Sequence, residues 1–543
     1  MSKKILKCIS LMLAIFMMIV SLGACKKDKK AASGNKNGTK TAMTTKRTVT
    51  AKKSTTSVSK TNKNANNETA KNSKTGASSG DESLNVDNAE YNPSLTGTTS
   101  KEEMNDLLDN SPDADLPIVQ FDQNMDLGGR TIKIVYDTSS SGSPGKKPTE
   151  VTLRQNPKAI VAYNMIENAK KKMNFNINWV YRSVDNMVYE YIEAVAAGTK
   201  YADIILSAPK RVFPILAVKK LLVPMDRFID FENDPTYNFG CIVSGTDFLG
   251  RKWGLVTNPY SIGYVTFYNR DIFAKEGLKD LQELYEEGGW TWEAMVDIAK
   301  AATHDNNGDG IIDQWGVLLN SLDNATHALI LSNGTDIFSY DSVNNTYNFT
   351  GTNDLKVVRA LQLVNDMISS RLTTPDNTVK FDKFPSALVI GKIVSDGLAY
   401  NTYGMNFGIA PLPKGPDVTE TQFVDGNGVN AYFIPVNTDP KVAAAIIREA
   451  FTYWDISKPE YMNKKDMMVT NITPYLSSQA DVEWAIEHFQ SPRISHLKCF
   501  DDFRRNFNQN VLGRIIINES TPAAALQSQA AALDSVLKSQ LQN

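Results

Sequence analysis

The sequence predicts an α/β fold in two lobes. Runs typical of buried strands alternate with helical runs beyond residue 127, and this part of the chain is longer than one hydrophobic core normally supports. Alternating strands and helices further predict a mainly parallel sheet with right-handed crossovers. Ligands of such sheets bind at the carboxyl ends of the strands, so we expect a binding site in the loops that follow them.

The first elements form a β-α-β unit. TIKIVY at 131–136 is a strand-type run, and the helical run from Pro157 ends in lysines that suit a helix C-terminus. FNINWVY at 175–181 follows as the second strand, and a further helical run leads to a buried strand at 203–206.

Two amphipathic helices are predicted further along the chain. One follows Thr291 as its N-cap, with Glu293 in the first turn, and the other starts at Pro440. The apolar stripe of the first helix indicates a face that packs in the core: Trp292, Met295, Val296, Ala299 and Ala302.

The N-terminal segment has the layout of a secretory signal: lysines, an apolar run and small residues. LGAC at its end resembles the bacterial lipobox, which implies a signal peptide at 1–24 and acylation of Cys25. An uncleaved membrane helix is the alternative, but the apolar run is short for a span of roughly 20 residues. We therefore expect a lipid-anchored protein at the extracytoplasmic face of the cell membrane.

A segment rich in Lys, Ser, Thr, Asn and Gly follows the leader, with too few apolar residues to form a core. It predicts a disordered tether over 25–126 and a folded domain over 127–543. The lysines of the tether suit anionic lipid headgroups or wall polymers. The net charge of the whole chain is only −2, so we expect no nucleic-acid partner.

Cysteine and histidine usage argues against several enzyme classes. Beyond the leader and Cys25, only Cys241 and Cys499 remain, too few for a disulfide scaffold or a cysteine zinc cluster. Whether these two pair is open. The four histidines lack metal-site spacing, which argues against a zinc hydrolase and a Ser-His-Asp triad. Chemistry based on carboxylates alone stays open, because the chain has 60 Asp and Glu residues.

The loop DNNGDGIIDQWG at 305–316 resembles a twelve-position calcium loop. Oxygen ligands would come from positions one, three, five, seven and nine: Asp305, Asn307, Asp309, the Ile311 carbonyl and Asp313. Position twelve is Gly316 instead of the usual glutamate, and a strand rather than a helix follows. A metal-free turn rich in Asx residues is the alternative. We expect structural Ca²⁺ that fastens the loop and performs no chemistry.

Six segments occur in the order expected of one family: YNRDIFAKEGL, GWTWEAMVDIAKAAT, DNNGDGIIDQWG, FPSALVIGKIVSDG, FGIAPLPKGPD and NTDPKVAAAIIREAFTYW. The chain resembles extracellular solute-binding proteins of the maltose-binding type, the lipoprotein capture subunits of ABC importers. This resemblance implies a two-lobe periplasmic-binding-protein-like fold with a ligand cleft between discontinuous lobes. We expect a monomer that captures a small solute, a sugar or oligosaccharide, and delivers it to permease subunits.

The resemblance also implies where the chain crosses between the lobes. The crossings are expected near 256–262, 422–428 and 471–477. These limits assign 127–260 and 425–472 to the first lobe, and 261–424 and 473–543 to the second.

Solutes of this family are held by aromatic faces and polar side chains. The resemblance points to four residues in the first lobe and hinge and to four in the second lobe: Tyr136, Ser207, Arg211 and Tyr260, then Asn320, Asp323, Asn324 and Tyr400. For a tyrosine at a strand end, a capped core residue is the alternative. LAYNTY at 398–403 lacks the tryptophan often present in relatives that bind long sugars, so a sugar is not compelled.

Two other classes of protein compete with a binding protein. A surface glycoside hydrolase or lyase would need two carboxylates facing each other across a cleft. A wall adhesin is favoured only by the tether and the calcium-type loop. The order of the six segments favours the binding protein, which is not an enzyme.

Overall fold

The computed structural model describes residues 99–108, 117–120, 122, 124–137, 145–155, 157–375, 385–425 and 429–542. The predicted signal peptide, Cys25 and the tether up to residue 98 lie outside these residues. In the described part, no helix is both long and apolar enough to cross a membrane.

The strands are short and spread along the whole folded part. In chain order they are β1 (Arg130–Tyr136), β2 (Phe175–Tyr181), β3 (Ile204–Ser207), β4 (Leu222–Val223), β5 (Asp247–Phe248), β6 (Arg251–Lys252), β7 (Gly254–Val256), β8 (Tyr264–Asn269), β9 (Trp315–Leu319), β10 (Phe338–Asp341), β11 (Thr346–Phe349), β12 (Ser386–Lys392), β13 (Phe407–Ala410), β14 (Val424–Asp425), β15 (Ala431–Pro435) and β16 (Arg493–Ile494).

Helices fill the connections between the strands and form the C-terminal part. In chain order they are α1 (Lys101–Leu107), α2 (Glu150–Gln155), α3 (Ile160–Lys172), α4 (Val184–Ala196), α5 (Pro209–Val212), α6 (Ile215–Val218), α7 (Gly240–Gly245), α8 (Arg270–Glu276), α9 (Leu281–Glu286), α10 (Trp292–Ala302), α11 (Leu322–Ser332), α12 (Leu355–Ser369), α13 (Leu398–Thr402), α14 (Pro440–Phe451), α15 (Lys464–Ile472), α16 (Gln479–His488), α17 (Asp501–Phe507), α18 (Gly513–Ile516) and α19 (Pro522–Ser539).

Side-chain caps explain where the two predicted amphipathic helices begin. Thr291 Oγ1 accepts a hydrogen bond from the Ala294 N–H at 3.3 Å, which starts α10 as predicted. α14 begins at Pro440, and Asp439 caps it by accepting from Val442 N–H at 3.2 Å.

The first-lobe sheet has the strand order β2-β1-β3-β15-β4, and β7 also pairs with β15. β1 runs parallel to β2 and β3, which confirms the predicted β-α-β unit. β15 runs antiparallel to β3, β4 and β7. The second-lobe sheet has the order β13-β8-β12-β9, in which β8 runs antiparallel to both of its neighbours.

The prediction of a mainly parallel arrangement is therefore wrong for β8 and β15. Each is the first strand of its sheet after the chain arrives from the other lobe. A chain that enters at the carboxyl ends of the other strands must run against them. The antiparallel strands thus show that the lobes are connected on the same side as the strand ends where ligands of α/β sheets bind.

The chain passes between the two sheets through segments near the predicted crossings. Residues 257–263 join β7 of the first sheet to β8 of the second, and residues 411–430 join β13 to β15. α15 contacts both lobes: Met468 packs with second-lobe core residues, while Asp466 lies 3.8 Å from Lys158 of the first lobe. The predicted lobe limit at residue 472 thus falls at the end of a helix shared by both lobes.

Folded structure extends into the range predicted as tether. In α1, Ser100 Oγ accepts from Glu103 N–H at 3.0 Å, and Met104 and Leu107 are buried in the core. Glu103 also forms an ion pair of 2.6 Å with Lys441 of α14. The boundary at residue 127 is therefore too late, because a helix with apolar residues at i and i+3 packs on the first lobe.

An aromatic junction joins the first lobe to the C-terminal part, and it consists of Phe213, Phe248, Tyr347 and Phe500. Phe248 of β5 stacks on Phe213 with ring centroids 4.7 Å apart. Its ring centroid also lies 5.3 Å from that of Tyr347 of β11 and 5.6 Å from that of Phe500. These contacts hold a first-lobe hairpin against a second-lobe hairpin.

Candidate binding cleft

A cavity of about 590 Å³ lies between the two sheets. Residues directly after β3 and β12 reach it, namely Ala208 and Lys210 on one side and Ile393 and Val394 on the other, together with Lys392 at the end of β12. The three connecting segments supply the rest of its lining: Thr257, Asn258, Ser261, Ile262 and Gly263, then Asp425, Val429 and Asn430, and finally Thr470, Asn471, Ile472 and Tyr475.

The lining combines hydrogen-bonding groups with few charges. The amide and hydroxyl side chains come from the three connecting segments, and Tyr475 is the aromatic residue among the lining residues. Such groups can bond the hydroxyls of a polar solute, while an aromatic ring can cover an apolar face. Because three connecting segments meet here, any change in the angle between the lobes would alter the shape of this cavity.

Two lysines, Lys210 and Lys392, line this cavity, and their charges also act on Lys498. Burial lowers the pKa of Lys210 and of Lys392, and the positive charge of Lys210 lowers the pKa of Lys392 further. Burial, followed by the charges of Lys392 and Lys210, lowers the pKa of Lys498 to about 8. The carboxylate of Asp425 acts in the opposite direction on Lys210 and Lys392.

A second cavity, of about 770 Å³, lies on the other side of the β14–β16 pair. Val424 lines this larger cavity and Asp425 lines the smaller one, as expected of successive residues in a strand. Although the second cavity has the larger volume, the strand ends of β3 and β12 open only on the first among the described residues. We therefore take the 590 Å³ cavity as the candidate site.

The four predicted residues of the first lobe and hinge do not line this cavity. Tyr136 packs edge-on against Trp179, with ring centroids 6.2 Å apart. Ser207 is fully buried and donates its hydroxyl hydrogen to Asp137. Arg211 is exposed, and Tyr260 packs edge-on against Phe239 at 5.3 Å.

The four predicted residues of the second lobe do not line the cavity either. Asp323 Oδ2 accepts from Asn508 Nδ2 at 3.0 Å and lies 3.5 Å from Arg504 Nη1 of α17, and Asn324 donates to Asp323 Oδ1 at 3.2 Å. Asn320 is exposed. Tyr400 is only 5 % exposed and packs edge-on against Phe267 at 5.0 Å. The core alternative therefore describes Tyr400.

The predicted set nevertheless lies next to residues that do line the cavity. Lys210 lies between Ser207 and Arg211 in sequence, and Asn258 and Ser261 flank Tyr260. Lys392, Asp425 and Asn471 were missed, although each lies at a predicted crossing or in the segment GKIVSDG that carried the family resemblance. The charges of Lys392 and Asp425 and the amide of Asn471 were the available signal.

The calcium-type loop is folded by hydrogen bonds between its own carboxylates and backbone. Asp305 accepts from Gly308 N–H and from Gly310 N–H, both at 2.7 Å, and the Gly310 bond leads the effects that lower the pKa of Asp305. Asp313 Oδ2 accepts from Asn306 N–H at 2.8 Å. Within the described residues, no three acidic, histidine or cysteine side chains are grouped to hold a metal ion.

Packing explains why position twelve of the loop is glycine. A Cβ atom on Gly316 would lie 2.1 Å from the Ala299 carbonyl oxygen of α10. A glutamate therefore cannot occupy this position without moving the helix away from β9. Asn307 and Ile311 are exposed parts of the same loop, and Asp309 Oδ1 accepts from Ile311 N–H at 2.8 Å.

Cys241 and Cys499 are both free and buried. Burial raises the pKa of the Cys241 thiol to about 11. Of the two alternatives left open by the sequence, the structure shows two unpaired thiols.

Comparison with known proteins gives one family and a set of similar folds. The sequence model for "Bacterial extracellular solute-binding protein" matches residues 158–453. No curated protein matches the chain. A cyclic α-maltosyl-1,6-maltose binding protein from Arthrobacter globiformis is similar in structure, with 15% identity, a TM-score of 0.54, and coverage of 76% of this chain and 100% of that chain. A sugar transporter from Rhizobium etli in an open conformation has 13% identity, a TM-score of 0.53 and coverage of 74% and 98%.

Proposed function

Because this chain belongs to the bacterial extracellular solute-binding protein family, we propose that it captures a saccharide between its lobes and delivers it to an ABC importer. The family consists of binding proteins, so the chain is not an enzyme, and the hydrolase or lyase alternative is not favoured. The two-lobe α/β fold predicted from the sequence is confirmed.

The observation that carries the proposal is the placement of the 590 Å³ cavity. Its lining draws on the strand ends of both sheets and on all three connecting segments. A solute there would contact both lobes at once, so its binding energy would favour the closed arrangement over the open one. Amide and hydroxyl groups in the lining suit a solute with many hydroxyls.

The proposal includes attachment to the membrane through Cys25. Its support is the sequence LGAC after an apolar leader, followed by a lysine-rich segment. A tethered capture protein would stay close to the permease that accepts its solute. This proposal requires two partners. They are the permease subunits of the importer and the extracytoplasmic surface of the membrane that holds them.

The binding part is tested by screening saccharides against the purified folded chain. A solute that binds only the folded state raises the melting temperature, and calorimetry then measures its Kd. The bound solute should be recovered chemically unchanged by chromatography after long incubation. Release of shorter products would instead support a glycoside hydrolase or lyase.

The anchoring part is tested separately by replacing Cys25 with Ser. We expect the variant to appear in the medium or to keep its leader, whereas the natural chain fractionates with membranes. Mass spectrometry of the N-terminal peptide identifies the acyl group. A Cys25→Ser protein that still fractionates with membranes and still carries lipid would show that Cys25 is not the acylated residue.

A further inference from the structure

We propose that the cavity of about 770 Å³ on the other side of the β14–β16 pair is a second binding site, which takes an uncharged saccharide. Val424 lines this cavity, whereas the next residue of β14 lines the cleft, so the strand pair separates the two. A ligand here would leave the cleft free, so such a site goes beyond solute capture. Three features carry the inference: the origin of the lining, the polar groups that the fold leaves unused, and a partly exposed tyrosine ring.

The lining of this second cavity comes from both lobes. Ser244 and Asp247 belong to α7 and β5 of the first lobe, and Tyr340 belongs to β10 of the second lobe. Arg493 of β16 adds to the lining from the strand pair that separates the cavities. The β5–β6 turn lies against β10, since a Cβ atom on Gly250 would be 2.5 Å from the Tyr340 hydroxyl oxygen. The two lobes therefore meet at this cavity, as they do at the cleft.

Hydrogen bonds within the fold hold part of the lining in place. The Asp336 carboxylate accepts from His327 Nε2 at 2.9 Å and from Ser495 Oγ at 2.6 Å. Asp354 accepts the hydroxyl hydrogen of Thr335. These two carboxylates are used by the fold, and the wall that they stabilise is formed before a ligand arrives. A preformed wall lowers the entropy cost of binding.

Other polar groups of the lining are available to a ligand. Within the described residues, no hydrogen bond or ion pair engages the side chains of Arg493, Ser339 or Asn353, and all three residues are exposed. The Asp247 side chain is 44% exposed, and its carboxylate lies 3.9 Å from Lys252 Nζ. The cavity thus offers a guanidinium that donates, a carboxylate that accepts, and an amide and a hydroxyl that do both.

An uncharged saccharide matches this set of groups. A sugar hydroxyl both donates and accepts hydrogen bonds, so it can use all four kinds of group. The ring of Tyr340 packs on Tyr347 at 5.5 Å and stays partly exposed, which offers an apolar surface to the face of a sugar ring. Three lining carboxylates disfavour an anion, and the guanidinium of Arg493, without an ion pair among the described residues, disfavours a cation. The volume is within the range of small-molecule sites.

The test locates saccharide binding with variants of each cavity. Maltose, cellobiose, lactose and xylobiose are titrated by calorimetry against the purified folded chain, with glucosamine and glucuronate as charged probes. Arg493→Met and Tyr340→Ala change the second cavity, and Tyr475→Ala removes the ring that lines the cleft. Lys300→Met, which removes an ammonium that is 62% exposed in α10, is the matched control for Arg493→Met. Circular dichroism checks that every variant folds, and the exposed Arg493 position keeps the test valid if Tyr340→Ala does not.

We expect at least one neutral saccharide to bind about 10-fold or more weakly to Arg493→Met and to Tyr340→Ala than to the natural chain. Its affinity should be unchanged in Tyr475→Ala and in Lys300→Met. The same saccharide should slow hydrogen exchange of the backbone amides at 338–341 and 493–494, which locates it without any substitution. Neither charged probe should bind in a way that Arg493→Met changes.

The outcomes separate this inference from the proposed function. If every saccharide that binds is weakened by Tyr475→Ala alone, the second site is disproved and capture in the cleft stands. If binding responds only to Arg493→Met and Tyr340→Ala, the second site is supported and capture in the cleft is contradicted. Equal affinities in all variants, or no binding of any saccharide, would contradict both. A charged probe that binds this cavity more tightly than every neutral saccharide would overturn the proposed ligand class.

Discussion

The ammonium group of Lys498 makes the stability of the fold depend on pH. Its pKa of about 8 in the folded protein lies below that of an unfolded lysine, because it is buried beside Lys392 and Lys210. The unfolded chain therefore binds more protons than the folded one between pH 8 and about 10. Stability rises with pH across this window, and the cost of protonating Lys498 is fully present below it.

We expect Lys498→Met to unfold at a higher urea concentration than the natural chain at pH 7, without solute. The difference should shrink as the pH is raised from 8 towards 10, because the natural Lys498 then loses its charge. Lys300→Met, measured at the same pH values, should show no such trend. A lower midpoint for Lys498→Met at pH 7 would show that favourable contacts of this side chain outweigh its charge.

We also predict that the loop at 305–313 binds calcium. If calcium binds there, it should raise the melting temperature, and Asp309→Ala should abolish this rise by removing one ligand. Asp297→Ala removes an exposed carboxylate outside the loop and serves as the control. Solute affinity should be equal with and without calcium, since none of the loop residues lines the cleft. An identical calcium response in both variants would exclude this loop.

The sequence predicted the segments that form the candidate site better than the individual residues that line it. The loop after β3 was expected to face a ligand, and among its residues Ala208 and Lys210 line the candidate cavity, whereas Ser207 and Arg211 do not. These residues lie at the start of a helical turn, where each step rotates the side chain by about 100°. Tyr400 was misplaced for a similar reason, because packing against Phe267 decides which way its ring turns.

At the scale of elements, local patterns predicted the strands, the helices and the β-α-β unit, but not the direction of every strand. The runs at 131–136 and 175–181 and the helices after Thr291 and from Pro440 all formed. The reversed directions of β8 and β15 could not be read from their residues, because direction depends on where the chain crosses between lobes. α1 was missed, since its two core residues lie in an otherwise polar segment.

The hairpin β5–β6 provides a test of how the aromatic junction contributes to stability. Phe248 is fully buried and contacts rings from both lobes. We expect Phe248→Ala to lower the free energy of unfolding by about 3–5 kcal/mol in urea titrations. Val343→Ala, at an 89% exposed position in the β10–β11 turn, should change it by less than about 0.5 kcal/mol. A small effect of Phe248→Ala would mean that the junction opens readily in solution.

At the scale of the whole molecule, the three connecting segments predict hinge motion. A tightly bound solute should shift the lobes towards closure, because it contacts both. Spin labels at exposed Glu193 and Lys300, introduced after Cys241 and Cys499 are replaced, would report the distance between the lobes. Labels at Lys300 and Val343 lie within the second lobe and should keep their distance. An unchanged distance between the lobes with bound solute would disprove closure.

The position of β15 also determines the order in which the lobes can be completed. Every strand of the second-lobe sheet lies between residues 264 and 410, but β15 sits inside the first sheet and pairs with β3. The buried bond from Thr438 Oγ1 to Asp203, 3.3 Å long, joins residues separated by 235 positions. The chain is synthesised from its N-terminus, so one edge of β3 stays unpaired until β15 has been made. The second-lobe sheet can form during this time. Pulsed hydrogen exchange should therefore protect 264–269 before 204–207, and 204–207 only together with 431–435.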